Sequence, residues 1–208
     1  QGTVTIGVSE IALHLLLLPV LGEFRRKYPK IRLRISSYTA PQAIQTVRNG
    51  LSDFAVASTP AEVKKPLKAI PLLSFKEILV ANAAYKDMFK EPVSLKKLVK
   101  YPFICLGKNT STYDFYTRFF LEHGIAMTAD TEAATIDQIL PMVRQNLGIG
   151  FIPEPLAQEV IEQGIVIQVP LLEEPPVREI CFVEDKSSPH SMAANVLKEM
   201  LFQAGEKE

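Results

Sequence analysis

The sequence is poor in the residues that mark metal, disulfide or hydrolytic chemistry. It holds only two cysteines and three histidines in 208 residues. Cys105 and Cys181 have no CxxC partner and no histidine at ligand spacing. They read as two small apolar residues of a reducing cytosol, with a disulfide between them as the other reading. His14, His123 and His190 are scattered, and none has metal-ligand spacing. His123, beside Gly124, reads as a helix-end residue facing the negative pole of the dipole. An excess of one charge is missing too, since 23 basic side chains cancel 23 acidic ones. That balance excludes a chain that grips nucleic acid by itself, which needs a basic face to displace counterions. Long apolar runs are also missing. Leu13-His14-Leu15-Leu16-Leu17-Leu18 is far shorter than the roughly 20 residues of a membrane span. Glu10 precedes it, Pro19 breaks it, and no small-residue cleavage site follows, so it is not a leader. A soluble, cytoplasmic chain without membrane contact is expected. GxSxG, HExxH, Walker A and GxGxxG motifs do not occur, and Gly148-Ile149-Gly150 is too short to cradle a diphosphate. No enzyme activity, cofactor or metal is expected.

What is present is an ordinary globular composition, 47% apolar and 22% charged. A chain of this size buries roughly 70–75% of its surface on folding without a covalent staple. In 3–8, Val4, Ile6 and Val8 alternate with Thr3 and Thr5, which is a strand. Ser9 then caps a helix that runs to about Tyr28 and stops at Pro29. Ile31, Leu33 and Ile35 alternate with Arg32 and Arg34 in a second strand. A helix over 41–49 ends on Gly50, and 53–58 is a short buried strand. This succession spells parallel βαβ units. Two β-like runs follow within 68–83, and then the pattern restarts. Helices are expected at 94–100, 112–123, 136–146 and 154–163. Strands are expected at 103–106, 128–133, 148–152 and 165–169. A last strand (178–184) and a last helix (190–203) close the chain. The fold class is therefore α/β, with two Rossmann-like lobes joined by crossover strands near 77–83 and 178–184. The expected division is 1–82 with 185–208 for the first lobe and 83–184 for the second.

Ligands of open α/β sheets bind beyond the carboxyl ends of the strands, where helix N-termini point. Those ends here are Ser9-Glu10, Thr39-Ala40, Ser58-Thr59, Asn109 to Thr112, and Thr135. Nearly all supply hydroxyls or amides. Helix capping alone explains any one of them; the set together favours a cleft for a small molecule. Glu10 and Asp137 would make an acid pair only if they met, which the sequence does not show. Arg25, Arg26, Lys27, Lys30, Arg32 and Arg34 form a basic run without interleaved aromatics, so a solvated face is the better reading than a nucleic-acid patch.

Several stretches carry a family resemblance. TIGVSEIALHLLLLPVLGEFRRKYPKIRLRI, VRNGLSDFAVAS, IPLLSFKEILVA, SLKKLVKYPFI and LGIGFIPEPLA occur in that order and span nearly the whole chain. It resembles the effector-binding domain of LysR-type transcriptional regulators. The F-x-x-x-Y-P, G-x-x-D-x-A, L-x-x-x-P-F and G-x-G-I/F-x-P elements are specific jointly and weak singly. The resemblance implies a periplasmic-binding-protein-like (type 2) fold with a small polar or anionic metabolite held between lobes. It implies effector contacts at Ser9, Glu10 and Ile11, at Thr39 and Ala40, at Ser58, and at Asn109, Thr110, Ser111 and Thr112. Gly150 and Phe151 belong to the same set, and Thr135 joins it from the strand ends. Some carboxylate-sensing relatives place an arginine where Ser58 stands, so a dianionic effector is less well supported. DNA would be contacted only through an N-terminal winged helix-turn-helix absent from this sequence. A start on Gln1 rather than Met reads as a fragment of such a protein. The alternative is a solute-binding protein of an uptake system with the same fold.

The first helix bears on assembly. At about 100° per residue, Leu16, Leu17, Val20, Leu21, Phe24 and Tyr28 share one broad face with Leu13. Leu15, Leu18 and Gly22 lie opposite, where a surface helix should be polar. That second stripe reads as a partner surface, or as a helix buried on both sides within one chain. The resemblance implies domains paired side by side and antiparallel, with Tyr116, Phe119 and Phe120 of the second lobe as counterparts. A homodimer is expected, and a tetramer for the full-length protein.

Overall fold

The computed structural model describes residues 2–207. The chain divides into two units, residues 1–74 with 179–208, and residues 75–178. The first opens on β1 (Thr3–Ser9), whose Val4, Ile6 and Val8 are fully buried. A continuous helical stretch follows: α1 (Glu10–Ala12), a π-helical turn (Leu13–Leu17) and α2 (Leu18–Lys27). The sequence predicts one regular helix here. The widened turn sits just before Pro19, whose ring and missing N–H are incompatible with an ordinary helical bond to the residue 15 carbonyl. Leu16, Leu17, Val20, Leu21 and Phe24 are buried as the periodicity predicts, whereas Tyr28 is 37% exposed. Arg25 closes the turn after the helix by donating to the carbonyls of Pro29 (3.0 Å) and Ile31 (2.8 Å).

β2 (Arg32–Tyr38), α3 (Ala40–Arg48), β3 (Phe54–Ser58) and β4 (Leu67–Phe75) complete this part. Gly7 explains how closely α3 lies on β1. A Cβ there would stand 2.5 Å from Thr46 Oγ1 and 3.0 Å from the Ala43 carbonyl. The second unit holds β5 (Glu77–Asn82), α4 (Leu95–Leu98), β6 (Phe103–Leu106), α5 (Ser111–Glu122) and β7 (Thr131–Ala133). A 3-10 turn (Ile136–Gln138), α6 (Ile139–Arg144), β8 (Ile149–Pro153), α7 (Glu154–Glu162) and β9 (Val166–Val169) follow. The chain then returns to the first unit with β10 (Arg178–Asp185) and α8 (Met192–Glu206).

The two sheets share one topology. Their strand orders are β2-β1-β3-β10-β4 and β7-β6-β8-β5-β9. In each, three parallel strands come first: β1 pairs parallel with β2 and β3, and β6 with β7 and β8. An antiparallel strand follows, β10 on β3 and β5 on β8. The passages between units fall at Ser74/Phe75 and Arg178/Glu179. These boundaries differ from the expected ones, because β5 joins the second sheet and β10 the first. Apolar alternation marks a strand but does not say which sheet it enters.

Each unit has its own core. In the first, Ala43, Ile44 and Val47 of α3 pack with Ala55, Ala57 and Val183. In the second, Phe103, Phe119, Phe120 and Phe151 meet Leu79, Leu95 and Ile149. Fully burying one such side chain contributes about 1.5–3 kcal/mol, so these clusters carry the fold. Cys105 and Cys181 are free and buried. Burial pushes their thiols up to about 12 and about 11 respectively, as befits small core residues.

Candidate functional site

In the first unit the parallel strands β2, β1 and β3 run side by side, with Ser9 opposite Tyr38 and Ile6 opposite Phe54. Their carboxyl ends therefore share one edge. Ser9 stands at the N-cap of α1, yet its side chain makes no capping bond. Its Oγ instead accepts from the Ser58 amide (3.0 Å) and lies 3.3 Å from the Ser58 hydroxyl. Both serines are buried. They form a polar link between adjacent strand ends rather than a helix cap. Thr39 is a cap: it accepts from the Gln42 amide (3.4 Å), and Gln42 Oε1 accepts from the Thr39 amide (3.1 Å). That reciprocal pair satisfies the first turn of α3. Ile11 and Ala40 are buried core residues. Glu10 opens α1, where a carboxylate complements the dipole; Asp137 belongs to the other unit.

In the second unit the carboxyl ends of β6 and β7 lead to α5 and to the 3-10 turn. Thr110 caps α5, accepting from the Tyr113 amide (3.1 Å) and donating to the Gly107 carbonyl (2.8 Å). The amides of Ser111 and Thr112 meet no acceptor among the described residues. Nor do the side chains of Asn109, Ser111 and Thr135 have a hydrogen-bond partner there; Thr135 sits at an N-cap without capping. Two open amides at the positive pole of a 12-residue helix suit a negatively charged or strongly polar group. Gly150 and Phe151 are placed otherwise. A Cβ on Gly150 would stand 3.2 Å from Ile139 Cγ2, so this glycine lets α6 pack on β8. Phe151 stacks on Tyr116 at 4.6 Å inside the core.

Sequence reasoning missed Arg178 and Glu77. Arg178 Nη1 donates to Glu77 Oε1 at 2.7 Å and to Thr112 Oγ1 at 3.2 Å. The guanidinium lies over the rings of Phe75 and Phe115, at 5.4 and 4.9 Å. Both charged side chains are almost wholly removed from solvent (0% and 1% exposed). Thr112 is thus an anchor for the first turn of α5. Burial, with Glu77 nearby, holds the Tyr116 phenol well above its usual range. The signal was partial: Glu77 stands directly before the apolar run Ile78 to Ala81, whereas Arg178 is followed by a second charge, Glu179, before Ile180 to Val183.

The expected partner surface divides in two. Leu18 is 47% exposed, Gly22 is exposed and Leu15 half-buried. Tyr116, Phe119 and Phe120 are at most 6% exposed and packed inward in their own unit. They leave no surface for a second chain. On α5 the exposed apolar residue is Leu121, at 59%.

Comparison with known proteins places this architecture. Among solved structures, the regulatory domain of CcmR from Synechocystis PCC6803, in complex with 2-PG, has a TM-score of 0.88 at 19% identity. That match covers 99% of this chain and 98% of that one. The effector binding domain of QuiR, in complex with shikimate, gives 0.85 at 16% identity, covering 100% and 99%. At such identity the likeness is one of fold. In sequence, the chain is 25% identical over 154 residues to the HTH-type transcriptional regulator CysB of Burkholderia cenocepacia, covering 74% of this chain and 49% of CysB. It is 22% identical over 203 residues to the probable RuBisCO transcriptional regulator of Cyanophora paradoxa, covering 95% and 63%. The chain thus spans about half to two thirds of the length of these relatives. The sequence profile of the LysR substrate binding domain matches residues 1–206. With that match along nearly its whole length, on two sheets of shared topology, the chain belongs to the LysR substrate-binding-domain family.

Proposed function

We propose that this domain senses a small polar or anionic metabolite and passes its occupancy to a DNA-binding segment of a longer, cytoplasmic regulator, without catalysing a reaction. The observation that carries this reading is the N-terminus of α5. Its first two amides and the Ser111 hydroxyl have no partner among the described residues, and Asn109 stands two positions before Ser111. Oriented donors that are already in place bind an anion without a side-chain cation. Within the first unit, the Ser9–Ser58 pair is the polar group at the strand ends. Among the described residues no helix is long and apolar enough to cross a membrane. We place the partner surface on the stripe of half-buried Leu15 with exposed Leu18 and Gly22, with Leu121 as its counterpart in a homodimer, and a tetramer for the whole protein.

The test is a melting-temperature screen of small carboxylates, phosphates and polyols, beginning with 2-PG and shikimate because similar folds hold them. A compound at 100 times its dissociation constant adds about 2.7 kcal/mol to native stability. A stabilising compound should then bind Asn109→Ala protein more weakly while that variant keeps the wild-type melting temperature. A compound that stabilises both proteins equally would remove Asn109 from the site.

A further inference from the structure

The geometry points to a second ligand site, inside the second unit and at the opposite end of its sheet from α5's N-terminus, for a compact apolar molecule with a cationic amine. A cavity of about 190 Å³ lies there, walled by Leu95, Leu98, Phe103, Phe120 and Ile149. Phe103 and Ile149 are the first residues of β6 and β8, and Phe120 lies in the last turn of α5. The strand-end groups around Ser111 lie beyond the other end of β6, whose four residues span about 13 Å. The cavity is therefore separate from the effector groups described above.

Its size and lining say what it takes. Protein cores leave few voids larger than a water molecule, because an unfilled apolar space forfeits its dispersion contacts. A dry apolar cavity of about 150 Å³ accepts benzene; this pocket, partly open and with some polar lining, is large enough for a single ring with a short substituent. The aromatic walls already meet edge to face, Phe103 with Phe120 at 5.7 Å, which leaves ring faces for a guest. Among the described residues, Asp130 is the one charged residue of the lining. Its Oδ2 accepts from the Phe103 amide at 2.8 Å, and its own amide donates to the Phe103 carbonyl at 2.8 Å. The Phe103 amide thus holds the carboxylate of this exposed residue, and its Oδ1 has no partner among the described residues. Among the described residues no lysine, arginine or histidine lines the space, so a carboxylate or phosphate guest would face Asp130 without a counter-charge. An ammonium group on an apolar body meets both features.

Benzylamine, benzyl alcohol and benzoate share a ring and differ in the head group, which makes them the probes. Titrations of the whole 208-residue chain would be followed by methyl and amide chemical shifts. Benzylamine at millimolar concentration should move the signals of Leu98, Phe103, Ile125 and Met127 saturably, and benzoate should not. Asp130→Asn keeps an acceptor for the Phe103 amide. It should weaken benzylamine roughly tenfold, the loss of a charge-assisted hydrogen bond, and leave benzyl alcohol unchanged. No saturable shift with benzylamine would overturn the site. Equal binding of benzoate, or benzylamine binding indifferent to Asp130→Asn, would overturn the assigned ligand class.

Discussion

Arg178 and Glu77 form the most deeply buried ion pair described, and the worth of such a pair is asymmetric. Breaking it by removing one partner leaves the other charge in a medium that cannot solvate it, which costs about 3–5 kcal/mol. Arg178→Met should therefore lose that much stability in urea unfolding. Arg178→Met combined with Glu77→Leu should recover most of it, since an apolar pair of similar volume is close to neutral. A single mutant as stable as the wild type would mean that the pair and its link to Thr112 (3.2 Å) do not hold the start of α5. Individual residues were the least legible level of the sequence. Ser9, Ser58, Thr39 and Thr110 are recognisable as strand-end hydroxyls, yet their roles separate only in three dimensions. Thr39 and Thr110 cap, while Ser9 bonds Ser58 across two strands 49 positions apart. Arg178 and Glu77, 101 positions apart, show no local pattern beyond standing first in their strands.

At the scale of elements, α8 is fastened to β10 by Glu184, which accepts from Lys198 Nζ at 2.8 and 2.9 Å and lies 2.7 Å from His190 Nε2. Burial alone would push this carboxyl up, but the hydrogen bonds from Lys198 and His190 outweigh it and hold it below the ordinary range. A carboxyl depressed in the folded state adds stability that is complete above its unfolded pKa, about 4.3. That contribution is lost as pH falls through the lower, folded value. The fall of melting temperature below about pH 4.3 should accordingly be steeper in wild-type protein than in Glu184→Gln, which lacks this contribution. Identical acid profiles would show that Glu184 does not link α8 to β10. Elements themselves read well from sequence, because a period of two or of 3.6 and a cap are local properties. The strand 103–106 and the Thr110-capped helix agree with the structure to within a residue. The π-helical turn before Pro19 was not legible, since helical periodicity on both sides of it looks unbroken.

At the scale of the molecule, both units repeat one strand order, a likeness visible in the sequence as a pattern that starts again but not as two boundaries. The same scale holds assembly. Leu18 stays 47% exposed on a helix whose other large apolar residues turn inward, so Leu18→Glu should leave the circular dichroism spectrum unchanged and convert a sedimenting dimer to monomer. A wild-type chain that sediments as a monomer at micromolar concentration would contradict this. Effector recognition at α5 is the central claim, and Ser111→Pro isolates it. Proline is favoured at the first helical position, where its missing N–H costs the helix nothing. Thr110 before it already has φ −103° and ψ 148°, the extended backbone that a residue preceding proline adopts. The substitution therefore removes one open amide and one hydroxyl without disturbing the fold. Calorimetric titration of Ser111→Pro protein with the compound that most raises the wild-type melting temperature should show affinity lower by about 1.5–3 kcal/mol, the worth of a hydrogen bond to a charged group, at an unchanged melting temperature without ligand. Wild-type affinity in that variant would contradict the assignment of the effector to the N-terminus of α5.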